Sequence, residues 1–295
     1  MAELPRVAAL LSPAAPLAAP LRARRGCLVT GFSAQWLALR EPADTRARDG
    51  ALTALLAKFA RQVQLHSPAR FIDLACGTGS NLRYLAPHMG AGSQWLLVDR
   101  DAALLEKVVS VAGHRIETRQ VDLVTNLHAL DFAPDVIVTA SALLDLVSGA
   151  WLTQLVERCR ANRCAALFAL SYDGAITLTP PDADDEWIRQ LVNRHQLSDK
   201  GFGPALGPGA SQRSRELFEE AGYVVRTAQS DWDLPPAESL LQRLLLEGWA
   251  EAAMEVASSE ADRCRGWLAR RLAHVANGTS RIRVGHQDLL AVPHG

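Results

Sequence analysis

Apolar residues at 52, 55, 56, 59 and 63 recur at helical spacing, and Pro42 is placed to open a helix that runs on through LTALLAKFARQV. The pattern then changes period. Residues 70–74 are a short apolar run and predict a strand. A run of small residues, ACGTG (75–79), follows, and then a helical stretch, NLRYLAPHM. SQWLLVD (93–99) predicts a second strand and DAALLEKVVSVAG a helix. RIETRQVD (115–122), PDVIVTAS (134–141) and CAALFALSY (164–172) predict three more strands, with the helical GAWLTQLVERCRANR between the last two. Further on, SRELFEEAGYVVRTAQSDW reads as a helix, a stop at Gly222 and a sixth strand. SRIRVGHQDLLAVP (280–293) reads as a last strand, broken near Gly285.

Strands alternating with helices at this spacing predict an α/β domain, a mostly parallel sheet with helices on both faces. The fourth strand is almost wholly apolar, as a central strand buried on both sides requires. Two segments do not fit the alternation. One is a loop-rich insertion at 173–212 that contains GFGPALGPGA. The other is a long helical stretch at 236–275. Residues 1–22 are expected to be a flexible tail, because their apolar part precedes the basic LRARR and carries Glu3 and four prolines, the reverse of a secretory signal. Residues 23–295 are then one domain with two insertions.

Composition narrows the function classes only modestly. The 295 residues are 48% hydrophobic and 21% charged, with a formal net charge of -1, which gives no general pull toward a polyanion. Five cysteines without CxxC spacing argue against a disulfide framework and a zinc site, and point to a reducing, cytoplasmic setting. No apolar run reaches the ~20 residues of a membrane helix, so no membrane partner is expected.

The chemistry gathers around FIDLACGTGSN (71–81). Glycines let a ligand approach the backbone, and the helix behind them offers free N–H groups. A dinucleotide site would place a third small residue at 82, where this chain has Leu82. Three acids instead stand at three successive strand ends: Asp73, Asp99 and Asp122. A carboxylate at the end of the second strand can take both hydroxyls of a ribose. Asp73 would attract an amine or a sulfonium and repel a pyrophosphate. Such a set describes a site for an adenosine that carries a cation. Asp99 as a mere helix cap, Asp122 as a loop carboxylate and Cys76 as a small buried hydrophobe are the plainer readings.

DLACGTGSN with Asp99 and Asp122 resembles the class I S-adenosylmethionine-dependent methyltransferases over about residues 65–175. The resemblance implies a Rossmann-like, seven-stranded sheet whose last strand is antiparallel. It also implies S-adenosylmethionine as cofactor and S-adenosylhomocysteine as product. By position, Asp73 would lie near the methionine amino group, and Ala75, Cys76, Gly77, Gly79 and Asn81 would line the methionine and ribose. Asp99 would hold the ribose, Arg100 would pack beside the adenine, and Asp122 with Leu123 would hold it. Ser141 and Ala142 would sit near the sulfonium. REPAD (40–44) is similar to a segment of some bacterial methyltransferases.

Arg40 has two readings: a partner for the methionine carboxylate, or one half of an ion pair with Glu41 or Asp44. Trp36 walls the substrate pocket or anchors its segment. For the acceptor, the candidates are Asp145 after the fourth strand, Tyr172 and Asp173 after the fifth, His195 in the insertion, Trp232 after the sixth strand and His286 in the last. Packing or solvation is the alternative for each. DADDE (182–186) reads as a helix start with acids in its first turn and not as a metal site, so no metal is expected. The turn after the fourth strand lacks the Asn-Pro-Pro-Tyr pattern of amino-methylating DNA enzymes, and the Arg clusters are short, so no nucleic acid is expected. The resulting expectation is methyl transfer to an O or N nucleophile of a small molecule, the insertions forming a lid. A protein- or RNA-modifying enzyme and a non-catalytic scaffold are the rivals.

Overall fold

The computed structural model describes residues 33–294. The expected tail at 1–22 and the basic run at 22–25 lie outside them. The first helix, α1 (Ala34–Ala47), is capped by the Ser33 side chain. It runs straight through Pro42, which therefore does not start a helix. A proline there withholds one i→i−4 hydrogen bond, from the Ala38 carbonyl. The second helix, α2 (Gly50–Gln64), starts independently, with the Asp49 carboxylate accepting from the Leu52 N–H at 2.7 Å. Leu52, Leu56, Ala57 and Ala60 form its buried stripe.

The alternating core follows in chain order: β1 (Arg70–Leu74), α3 (Ser80–Leu85), β2 (Gln94–Asp99), α4 (Ala102–Leu105), β3 (Arg115–Gln120), α5 (Leu123–Asn126), β4 (Val136–Ser141), α6 (Gly149–Asn162) and β5 (Ala165–Thr179). Then come α7 (Asp185–Gln196), α8 (Ala210–Glu220), β6 (Tyr223–Gln229), β7 (Trp232–Leu234), α9 (Ser239–Val256), α10 (Ala261–Ala276) and β8 (Arg281–Pro293). The sheet has eight strands, one more than expected, in the order β3-β2-β1-β4-β5-β8-β6, with β7 pairing β8. The added strand arises because the chain leaves the sheet after Gln229 and rejoins β8 at Trp232, further along the same strand.

β1 to β5 are parallel neighbours, and β8 runs antiparallel between β5 and β6. Strand order reverses between β1 and β4, which opens a crevice at their carboxyl ends. One core lies on the face of α6 and α8, around Val136, Val138, Leu152 and Phe168. The opposite face is packed by α2 and α3, with Phe71 stacked on Trp95 at 4.0 Å between centroids. A third core joins α1, α7, α9 and α10 to β7 and β8.

Three sequence expectations change here. The stretch after Asp101 is helical for one turn only. β-Branched Val108, Val109 and Val111 follow it, and they disfavour helix continuation. β5 extends to Thr179 and so absorbs the start of the insertion. β8 is unbroken: its Gly285 lies where the bulged β5 brings Asp173 too close for any Cβ. The bulge places Leu170 at φ 55°, and its N–H is satisfied by the buried Asp288 carboxylate at 2.8 Å.

Candidate active site

The turn after β1 is built from left-handed backbone. Ala75, Gly77 and Gly79 have φ of 49°, 55° and 82°. Gly79 caps α3 without a side chain, leaving the first N–H groups of the helix facing the crevice. The turn is held from two sides: the Cys76 N–H donates to the Val98 carbonyl, and the Gly77 N–H donates to the Asp99 carboxylate at 2.8 Å. The other Asp99 oxygen accepts from the Asp101 N–H, and Asp101, not Asp99, caps α4. Burial pushes the Cys76 thiol well up, consistent with a small buried hydrophobe and not a nucleophile.

Asp73 is fully buried at the end of β1. One oxygen accepts from the Asn81 amide at 2.6 Å and from the Thr139 hydroxyl at 2.8 Å. The other, Oδ2, is buried without a partner. Desolvation raises its pKa to about 6, against the pull of those two hydrogen bonds and of Arg48. An unsatisfied buried carboxylate oxygen beside a glycine turn fits an incoming N–H donor.

The cation beside it is Arg48, which the sequence reading missed. Arg48 is buried, donates to Asn81 Oδ1 at 2.8 Å, packs over the Tyr84 ring at 4.4 Å and lies 3.6 Å from Asp288. Its Nε–H has no hydrogen-bond partner. A crevice lined by Glu41, Asp44, Thr45, Arg48, Ser80, Asn81, Tyr84 and Ser141 opens over this network. The missed signal is weak: a lone arginine between two helical stretches differs little from a surface residue. Arg40 instead grips Asp44 through two hydrogen bonds of 3.0 and 3.1 Å, the ion-pair reading of that residue.

α1 closes the site from above. The Leu37 side chain lies over Gly77, 2.9 Å from where a Cβ would stand. Arg83 of α3 holds Glu41 through two 2.6 Å hydrogen bonds and also donates to the Thr78 carbonyl. At the far rim, Asp122 is exposed and caps α5, while Leu123 is buried. Arg100 is exposed, with its guanidinium near Gly201 of the insertion. Ser141 lines the crevice, and Ala142 turns the chain out of β4 at φ 52°.

Beyond β4 the structure brings together four of the acceptor candidates. Asp145, Tyr172 and Trp232 are all buried, as is His286 on β8. Trp232 donates to Asp44 at 3.0 Å, lies under Arg40 at 4.9 Å and faces His286 at 5.2 Å between rings. Tyr172 packs edge-on to His286, and its hydroxyl donates to Asn193. Asp145 Oδ1 is buried without a partner, and burial raises its carboxyl to about 6. Burial, helped by Arg40, depresses His286 to about 3 and keeps it neutral. Trp36 packs against the third core, which contains Tyr172 and Trp232. His195 does not join them: it pairs with Glu255 at 3.0 Å and sits beside Lys200. The acids of residues 182–186 are taken up by Arg270, Arg263, Arg271 and Arg189. No cluster of three metal-ligating side chains occurs among the described residues.

Residues 71–162 match the family described as methyltransferase domain. No curated protein matches the sequence. Among solved structures, a cyclopropane-fatty-acyl-phospholipid synthase-like protein from Lactobacillus casei superposes with a TM-score of 0.50 at 15% identity, over 89% of this chain and 95% of that one. The cyclopropane synthase MmaA2 from Mycobacterium tuberculosis gives 0.45 at 12% identity, over 88% and 94%. At such identities the likeness is one of fold. Residues 71–162, which contain the glycine turn and the acids at 73, 99 and 122, are thus similar to a methyltransferase domain.

Proposed function

We propose that this chain is an S-adenosylmethionine-dependent methyltransferase that acts on an O or N nucleophile of a small molecule. The observation that carries the reading is the enclosure of the cluster beyond β4. Asp145, Tyr172, Trp232 and His286 are 7%, 6%, 3% and 6% exposed, an enclosure that favours a small acceptor.

The bound cofactor supplies an electrophilic methyl group on a sulfonium. The chain has to hold it, align the acceptor and exclude water. In this reading Asp73 Oδ2 takes the methionine amino group, and the Arg48 guanidinium, which lines the crevice, answers its carboxylate. Asp99 takes the ribose hydroxyls, exchanging its hold on the Gly77 N–H. Leu123 and Asp122 border the adenine with Arg100, and Ser141 and Ala142 flank the sulfonium. The insertions at 173–212 and 236–275, together with α1, act as the cover.

Calorimetric titration of S-adenosylhomocysteine into the wild type and Asp99→Ala tests the cofactor part. Micromolar binding that collapses in the variant supports it, and no binding to folded wild type overturns it. Turnover on peptides or RNA with none on small nucleophiles would overturn the acceptor part.

A further inference from the structure

The cluster beyond β4 carries an imbalance of charge. Asp145, buried, and Asp44, half-buried, share the Arg40 guanidinium; Arg48 also acts on Asp44 but is held by Asp288. The Arg40 guanidinium is already committed: it gives two hydrogen bonds to Asp44, and Trp232 gives Asp44 a third. His286 faces the same space and is neutral. Tyr172 spends its hydroxyl proton on Asn193 and presents its backbone N–H to Asp145. Asp231, which faces His286 from beyond β6, is paired with Arg283, and Arg189 near Tyr172 is paired with Glu186. Asp145 Oδ1 is left buried, with no donor. A buried carboxylate oxygen without a partner is costly, and such groups mark places where a ligand donor belongs.

The aromatic side chains of the same cluster pack on one another. Trp232 and His286 face each other at 5.2 Å, and Tyr172 meets His286 at 6.2 Å. Aromatic faces favour both a stacked ring and a cation.

We propose that Asp145 is the acceptor-binding carboxylate of this site, and that the acceptor it selects is an amine carried on a flat, apolar body. The proposal rests on the small-molecule methyl-transfer reading above. A protonated amine gives Asp145 Oδ1 its missing donor and cancels the excess negative charge. An alcohol gives a donor and leaves the charge. The same carboxylate is placed to accept the proton: the N–H bond breaks, an O–H bond forms on Asp145, and the nitrogen keeps its lone pair. A carboxylate raised toward neutrality is a better proton acceptor than an ordinary one.

The test compares tryptamine with tryptophol, which differ in ammonium against hydroxyl on one indole body, by calorimetry on protein saturated with S-adenosylhomocysteine. At pH 8 the amine is expected to bind at least roughly tenfold tighter, on the usual worth of a charged hydrogen bond. Lowering the pH to 5 protonates Asp145, and the preference should vanish. In Asp145→Asn at pH 8 the preference should also vanish, with S-adenosylhomocysteine affinity kept. Equal binding of the two probes, binding of neither, or a preference that survives in Asp145→Asn overturns the proposal. Should that variant fail to fold, the wild-type pH series decides alone, and a preference unchanged between pH 8 and 5 overturns it. Wild type that does not bind S-adenosylhomocysteine defeats the cofactor reading instead, so the two failures are distinguishable.

Discussion

The Arg48 guanidinium donates to the Asn81 side-chain carbonyl at 2.8 Å, and the Asn81 amide in turn donates to Asp73 at 2.6 Å. This chain links the residue that caps α1 to the first turn of α3 and the end of β1. Asp288 extends it, 3.6 Å from Arg48 and accepting the N–H of Asp49 at the start of α2. One buried arginine therefore ties α1, the helix behind the glycine turn and the bulged strands together.

Removing that arginine leaves Asp288 and Asp73 without their cation. Breaking a buried pair from one side costs about 3–5 kcal/mol. Arg48→Met is expected to lose stability on that order in urea unfolding and to lose S-adenosylhomocysteine binding. Arg48→Lys should recover stability better than binding, because an ammonium restores charge but not the planar fork. Full binding by Arg48→Met would mean that the cofactor carboxylate is held elsewhere.

Asp145 gives a stability prediction with an unusual sign. Burial raises its carboxyl from 3.8 to about 6 in the folded protein. Between those values the folded state binds more protons than the unfolded one, so stability falls as pH rises through this range. Above pH 6 the cost levels off, at about 3 kcal/mol for a shift of this size. Asp145→Asn removes the charge with little change of shape. It is expected to melt several degrees above wild type at pH 8 and to converge with it below pH 4. Asp73 titrates in the same window by the same cause, so the wild-type curve contains both and the variant only one. A variant less stable than wild type at pH 8 would show that the Asp145 charge is better satisfied in the folded protein than an unpartnered Oδ1 allows.

The central strands and the glycine turn were legible in the sequence because their signals are local. An apolar run such as VIVTA at 136–140 has one plausible place in an α/β sheet, and left-handed turns need small residues. The acids at 73, 99 and 122 were likewise legible as strand-end positions. What escaped the reading depends on partners distant in sequence. Nothing near Arg48 announces Asp288, 240 positions on, and nothing near Arg40 tells whether Asp44 or a ligand takes its charge. Pro42 misled because its preference for a first helical turn is real, but here packing of α1 against β7 and α3 outweighs one lost hydrogen bond. The length of β5 was hidden by Gly174 and Asp173, turn-like residues that mark a bulge and not an end.

The Glu41–Arg83 pair ties α1 to α3. Both side chains are about a quarter exposed, 26% and 28%, so solvent screens the pair. Its loss is expected to cost no more than about 1 kcal/mol of global stability. The same loss acts directly on the closed position of α1. Glu41→Ala should therefore raise the dissociation rate of S-adenosylhomocysteine roughly fivefold in stopped-flow fluorescence, with a nearly unchanged melting temperature. An unchanged dissociation rate would mean that α1 does not open when ligand leaves.

Gly77 and Leu37 test the cover in another way. Gly77 sits at φ 55°, where a side chain costs roughly 1–2 kcal/mol, and its Cβ would stand 2.9 Å from Leu37 Cδ1. Gly77→Ala thus meets two penalties, one from its own backbone and one from the helix above. Leu37→Ala in the same chain removes only the second. The double variant is expected to be more stable than the sum of the single changes, by a coupling of about 0.5–1 kcal/mol or more, as for residues in contact. Strict additivity in a double-mutant cycle would show that Leu37 does not rest on the turn in solution. The glycine would then be needed for its backbone alone, and the turn would face the crevice without α1 above it.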